Sequence, residues 1–180
     1  VTDPLGEKAA LRAQALAARA RGGDQAALDR WLSAALSRHA GRVLAGYWPM
    51  RGEPDPRPAM AAHDGPVCLP VVVAPATPLC FRRFDGAVEP GAFGTSHPPE
   101  THEIMVPQVL IVPLVGFDRH GSRLGYGGGF YDRTLSDLRR AGQVTAIGLA
   151  WGAQELPLIP VEPTDEPLDV IVTDRGVIAI

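Results

Sequence analysis

In the N-terminal part of the chain, apolar residues recur at the helical interval. From position 4 to about 21 the sequence is rich in Ala, Leu, Lys and Arg, all good helix formers. Leu5, Leu11 and Leu16 fall roughly on one face, and Gly22 and Gly23 form the stop. Asp24 is placed to N-cap a second helix reaching about His39, with Leu28, Trp31, Leu32, Ala35 and Leu36 as its apolar stripe and Gly41 closing it. The period then changes. Short β-rich runs bounded by Pro and Gly predict strands at 43–47, 67–73, 79–84 and 109–112. A helix over 132–140 and strands at 144–149 and 169–173 follow. Runs such as VLIV at 109–112 are apolar without alternation, which predicts burial on both faces. The expected fold is a single three-layer α/β/α domain over 1–180, with a mixed, mostly parallel sheet and the site at the strand ends. The stretch 93–107, with paired prolines and two histidines, reads as the longest loop.

Composition narrows the class. A chain of 180 residues with 46% hydrophobic and 21% charged residues is long enough for one sizeable core. Its formal charge of -3 offers no general field for nucleic acid or an anionic membrane, so any anion site is local. Cys68 and Cys80 have neither CxxC nor zinc spacing and read as free thiols. His97, His102 and Glu103 lack HExxH spacing and read as surface loop residues. No basic stretch precedes an apolar leader, and no apolar run approaches the roughly 20 residues that span a bilayer. The cytoplasm is the expected compartment and a monomer the expected state, with small molecules as partners.

The chemistry concentrates in RLGYGGGFYD, residues 123–132, where a strand and a turn around DRHG lead into a glycine-dense loop that opens a helix. Gly125, Gly127, Gly128 and Gly129 allow positive φ and let backbone N–H groups approach an anion. The helix start adds unpaired donors and the positive end of its dipole, and Arg123 adds charge. No GK[ST] follows, and no acid completes a GxGxxG fingerprint, so this is neither a Walker loop nor a dinucleotide motif. Asp132, where the helix start meets bound phosphates, is suited to hold Mg²⁺ against their oxygens. Lys8 and Arg12 are four apart and project from one helical face, with Arg19 assigned to a different phase. On composition alone, that face reads as solvated.

The run FDRHGSRLGYGGGFYDR, residues 117–133, closely resembles the signature of the 5-formyltetrahydrofolate cyclo-ligases, also called methenyltetrahydrofolate synthetases. KAALR at 8–12, MRGEPD at 50–55 and VEPTDEPLDVIVT at 161–173 fall in that family's order. The resemblance implies an enzyme that uses Mg-ATP to convert 5-formyltetrahydrofolate into 5,10-methenyltetrahydrofolate through a phosphorylated formyl group, releasing ADP and phosphate. It assigns ATP binding to Lys8, Arg12, Arg123, Leu124, Gly125, Tyr126, Gly127, Gly128, Gly129, Phe130 and Tyr131. Folate contact is assigned to Trp48, Glu53 and the 126–130 run, and Mg²⁺ to Asp132 and Asp169. No catalytic nucleophile is implied. Phe93 falls near another pocket segment of the family. The sequence departs from the pattern where Phe130 replaces the first of two tyrosines, and where Gly128 stands in place of a lysine found in some relatives. Two other readings fit the residues: a sugar-phosphate enzyme using the loop without ATP or metal, and a protein that binds reduced folate without turnover.

Overall fold

The computed structural model describes residues 4–180, with side chains from residue 6 onward. The first helices, α1 (Pro4–Arg19) and α2 (Gln25–Leu36), lie where the apolar period and the glycine pair place them. Asp24 Oδ1 accepts the Ala27 N–H at 3.0 Å, pairing one of the donors that a helix start leaves open. Leu28, Leu32 and Leu36 are buried, whereas Trp31 is 43% exposed. Trp31 sits at the edge of the stripe on a 3.6-residue wheel, so it leaves the core. In α1 the buried positions are Lys8, Ala15, Ala18 and Arg19, while Leu16 points outward. The face the helix buries therefore carries two cations. Leu5, counted on the leucine face, lies outside the residues whose side chains are described.

The remaining elements are β1 (Leu44–Ala45), α3 (Arg57–Ala61), β2 (Val67–Val71), β3 (Cys80–Arg83), β4 (Glu89–Pro90), β5 (Ser96–His97) and β6 (Val109–Pro113). They continue with β7 (Gly116–Phe117), β8 (Arg123–Leu124), α4 (Phe130–Ala141), β9 (Thr145–Leu149), β10 (Val170–Thr173) and β11 (Gly176–Ala179). Seven strands form one sheet in the order β11-β10-β9-β6-β1-β2-β3. The run from β10 to β2 is parallel, and the edge strands β11 and β3 are antiparallel to their neighbours.

The sheet lies between helices because its strands are apolar on both sides. Val109 and Ile111 pack with Leu28, Leu32 and Met60 of α2 and α3. Leu110 and Val112 pack with Leu135 and Leu138 of α4. This is the mixed, mostly parallel α/β architecture that the unbroken apolar runs imply. The 93–107 stretch is less irregular than expected, since it contains a 3₁₀ turn (Ala92–Gly94) and β5 pairing with β4.

The parallel strands fix where chemistry gathers. The chain leaves β1 toward Glu53 and leaves β6 toward the glycine-rich loop, both from carboxyl ends of the sheet. Here α1 packs against β7 and the 3₁₀ turn Gly152–Gln154. Between β6 and the loop lies the β7–β8 hairpin, held by Asp118, whose side chain is fully buried. Asp118 Oδ1 accepts the N–H groups of His120 (2.9 Å) and Ser122 (3.1 Å), and Oδ2 accepts that of Ile159 (3.0 Å). The aspartate of the DRHG turn thus sets the hairpin from which the loop projects. Asp118→Ala strands three N–H donors, that of Ile159 buried and those of His120 and Ser122 partly so, and is expected to cost about 3 kcal/mol. For a chain of this size, thermal unfolding should then show a Tm roughly 6–12 °C lower.

Candidate functional site

Two turns and one helix face build the site. After β1, Gly46 lies so close to α3 that a Cβ there would meet Met60 Sδ at 2.3 Å, which brings the following segment tightly over the sheet end. The turn at 50–53 closes through Glu53 N–H to Met50 O at 3.0 Å, with Arg51 at φ 52° and Gly52 at φ 77°. Positive φ at a non-glycine residue is uncommon and concentrates at functional turns. The Trp151 Nε1–H group supports this turn by donating to Gly52 O at 3.2 Å. Glu53 Oε2 accepts the Met50 N–H at 3.0 Å, which turns the carboxylate inward until only 4% of its side chain is exposed. Burial raises the Glu53 pKa, opposed by the Met50 N–H and by the charges of Arg19 and Arg51.

Arg19 meets Glu53 from α1. Its side chain is 2% exposed, with Nη1 3.9 Å from Glu53 Oε1 and Nη2 donating to the Tyr126 hydroxyl. The guanidinium groups of Arg19 (5.5 Å) and Arg51 (5.3 Å) both approach the Tyr126 ring. Tyr47 and Tyr131 stand near Glu53, their pKa values raised first by burial and then by that carboxylate's charge. Phe130 packs 6.0 Å from Phe93, which adopts φ 57°. Trp48 packs edge-on to Phe84 at 6.1 Å, with Arg57 4.7 Å from its ring.

The loop from Gly125 to Gly128 is exposed. Gly129 at φ 66° starts α4 without a side-chain cap. The first bond of the helix runs from Arg133 N–H to Gly129 O at 3.2 Å, so the N–H groups of Phe130, Tyr131 and Asp132 are unpaired within the helix and available to an anion. Arg12 Nε donates to Gly125 O at 2.8 Å, which ties α1 to the loop. Arg123 turns away from the loop: it pairs with Asp132 Oδ1 at 2.8 Å and donates to Glu166 O at 2.5 Å. Asp132 Oδ1 also accepts the Glu166 N–H at 2.9 Å, while no donor among the described residues meets Oδ2. Asp132 lines a cleft of about 460 Å³ with Arg133, Ser136, Arg140, Thr164 and Glu166.

Two expected site residues are held by protein partners. Asp169 precedes β10 at the amino end of the parallel strands, where Oδ2 accepts the Ala146 N–H (2.7 Å) and pairs with Arg139 (3.1 Å). It is not brought together with Asp132. Lys8 is buried against Glu162 (2.7 Å) and Asp165 (2.9 Å), which removes it from the solvated face assigned to it. Residues 162–169 thus form a strap tied to α1, β8 and α4.

Residues 6–174 match the 5-formyltetrahydrofolate cyclo-ligase family. The chain belongs to this family of enzymes. It is 33% identical over 176 residues to the 5-formyltetrahydrofolate cyclo-ligase of Mycolicibacterium smegmatis, covering 89% of this chain and 87% of that protein. A 69-residue stretch is 49% identical to the Escherichia coli cyclo-ligase, covering 38% of this chain and 37% of that one. The fold is similar to the NMR structure of Aquifex aeolicus 5,10-methenyltetrahydrofolate synthetase, with a TM-score of 0.75 and 27% identity over 96% of this chain and 92% of that one. It is also similar to the Mycoplasma pneumoniae synthetase, with a TM-score of 0.70 and 25% identity over 93% and 98% of the two chains. Among the described residues, no helix is long and apolar enough to cross a membrane.

For this cyclo-ligase family member, sequence reasoning missed Arg19, Arg51 and Tyr47 around Glu53. Arg19 shares the phase of the other two cations: eleven residues make about three helical turns and seven make about two, so it lies roughly 20° from both Lys8 and Arg12. The strap yields a stability prediction. Burial pulls the Lys8 pKa down, but the bonds to Glu162 and Asp165 outweigh it and raise the pKa above 10.5. The pair's stabilisation is therefore present below 10.5 and is lost as pH rises through the folded value. Discounted for the solvent reaching Glu162, it amounts to about 1 kcal/mol. Lys8→Ala is expected to lower Tm by about 2–4 °C at neutral pH. Thermal melts in strong alkali should show that gap closing.

Proposed function

We propose that the chain cyclises 5-formyltetrahydrofolate to 5,10-methenyltetrahydrofolate at the expense of ATP, through a phosphorylated formyl group, with ADP and phosphate released. The observation that carries this reading is the juxtaposition at one sheet end of an anion-accepting glycine loop and a buried carboxylate floor. The loop amides and Arg12 take the phosphates of ATP. The Glu53 carboxylate accepts hydrogen bonds from the ring N–H and amino groups of the pterin. Phe130 and Phe93 supply apolar surface beside it, and Trp48 bounds the Glu53 segment on the side of Phe84.

Asp132 suits Mg²⁺: no donor among the described residues meets its Oδ2, it lines the cleft at the helix start, and its carboxylate would hold the ion beside bound phosphates. Held there, Mg²⁺ would neutralise charge on the transferring phosphoryl group. Asp169, fixed to Ala146 and Arg139, serves to cap a strand. Lys8 acts through the strap that delivers the Glu166 N–H to Asp132, and Arg123 holds Asp132 in place.

The formyl oxygen attacks the γ-phosphorus and ADP leaves. N10 then attacks the activated carbon and loses its proton, the carbon–oxygen bond breaks, and inorganic phosphate departs. Such a sequence needs positioning and charge compensation more than a protein nucleophile. With ¹⁸O in the formyl group, the label is expected in the released phosphate. Unlabelled phosphate would contradict the phosphorylated intermediate.

A further inference from the structure

Arg19 is buried at 2% side-chain exposure, yet its Nη1 has no hydrogen-bond partner among the described residues. At 3.9 Å, Glu53 Oε1 lies outside hydrogen-bond reach. A buried guanidinium is costly unless its donors are paired, and an apolar side chain of similar volume fills the same space without that penalty. Packing alone therefore does not account for an arginine here.

The gap between Arg19 and Glu53 is maintained from both sides. Glu53 Oε2 is anchored by the Met50 N–H, and the turn carrying it is held by Trp151. Arg19 Nη2 is anchored by the Tyr126 hydroxyl, on the glycine loop. A donor and an acceptor thus stand side by side at the floor of the site, each fixed by a third group. Their complement is a ligand edge with an N–H next to a carbonyl oxygen, as in a ring lactam. In a reduced pterin that edge is N3–H beside the 4-oxo group, with the 2-amino group on the far side of N3.

We propose that Arg19 is a specificity-determining residue that donates from Nη1 to the pterin 4-oxo oxygen while Glu53 accepts from N3–H and the 2-amino group. This rests on the folate reading of the site and adds a second group, beside Glu53, that distinguishes oxo- from amino-pteridines. A 4-amino group presents a donor to Nη1 and also turns N3 from a donor into an acceptor, so Arg19 and Glu53 each lose a partner, the situation in which hydrogen-bonding sites discriminate most strongly.

The test compares 5-formyltetrahydrofolate with its analogue bearing 4-amino in place of 4-oxo, using wild type, Arg19→Met and Tyr126→Phe. Wild type is expected to favour the oxo compound. In Arg19→Met, kcat/KM for 5-formyltetrahydrofolate should fall about 10- to 100-fold. Affinity for the amino analogue should change less than about threefold on the same scale, so the preference narrows by the share Arg19 supplies while the share from Glu53 and N3–H remains, and the KM for ATP stays put. Tyr126→Phe removes only the hydroxyl of a half-exposed ring that steadies Arg19. It should narrow the preference at least about threefold, a readout that remains if Arg19→Met fails to fold. Equal weakening of both ligands in Arg19→Met, or a preference unchanged in Tyr126→Phe, overturns the role of Arg19. A wild-type protein that takes neither ligand overturns the folate reading itself.

Discussion

Asp132→Asn is expected to lower kcat by about 10³-fold, the scale of removing one electrostatic group that acts on the developing charge. The amide oxygen still accepts from Arg123 and the Glu166 N–H, so the strap and the start of α4 keep their connections. What disappears is the negative charge that would hold Mg²⁺ against the phosphates. Because Arg123 is only 7% exposed on its side chain and loses its counter-charge, a Tm fall of several degrees is expected as well. Far-UV circular dichroism at the assay temperature should nevertheless show a folded protein. A variant with wild-type kcat and an unchanged Mg²⁺ requirement would remove Asp132 from the metal role.

Glu53→Gln is expected to raise the KM for 5-formyltetrahydrofolate by about 10²-fold while leaving the KM for ATP within about twofold. The amide offers a donor where the pterin offers donors, so the loss exceeds that of a neutral hydrogen bond. Burial raises the wild-type Glu53 pKa above its ordinary 4.5. The acid limb of kcat/KM should therefore lie above the usual carboxylate range, with activity lost as pH falls through it. In Glu53→Gln that limb should vanish. For folding the sign is opposite. A raised folded-state pKa means that the contribution of Glu53 to stability is greatest below 4.5 and declines as pH rises through the folded value. Above the folded value the buried carboxylate is a cost, partly offset by the Met50 N–H and the charges of Arg19 and Arg51. Superimposable pH profiles for the two proteins would contradict the placement of Glu53 in the substrate floor.

Much of this was legible in the sequence because it is local or periodic. The VLIV run of β6 is buried on both faces because each of its residues is apolar, and the pattern shows this directly. Asp24 caps α2 through a bond to a residue three positions away, and the glycine loop opens α4 where its composition places it. Pairings across the chain were not legible. Lys8 finds Glu162 and Asp165 more than 150 positions away, and nothing in KAALR distinguishes a cation bound for a buried pair from one bound for solvent. Asp169 looks the same in sequence whether it faces a metal or caps a strand; only the parallel register of β9 and β10 puts it beside the Ala146 N–H at the amino end of the sheet. Arg19 differs, since its spacing from Lys8 and Arg12 was readable. Leucine does not mark the buried face of this helix, which buries its cations and alanines instead. The turn around Glu53 also carried a signal in Arg51-Gly52, but the positive φ at Arg51 follows from tertiary support by Trp151.

The central claim is that the glycine loop and the Glu53 floor form one site for Mg-ATP and a reduced folate. Its most direct test mixes the purified protein with 5-formyltetrahydrofolate and Mg-ATP and follows the absorbance of the methenyl product together with ADP. The account predicts that the chromophore appears, one ADP forms per methenyl group, and neither forms when ATP or Mg²⁺ is withheld. Neither absorbance change nor ATP consumption from a folded protein would contradict it.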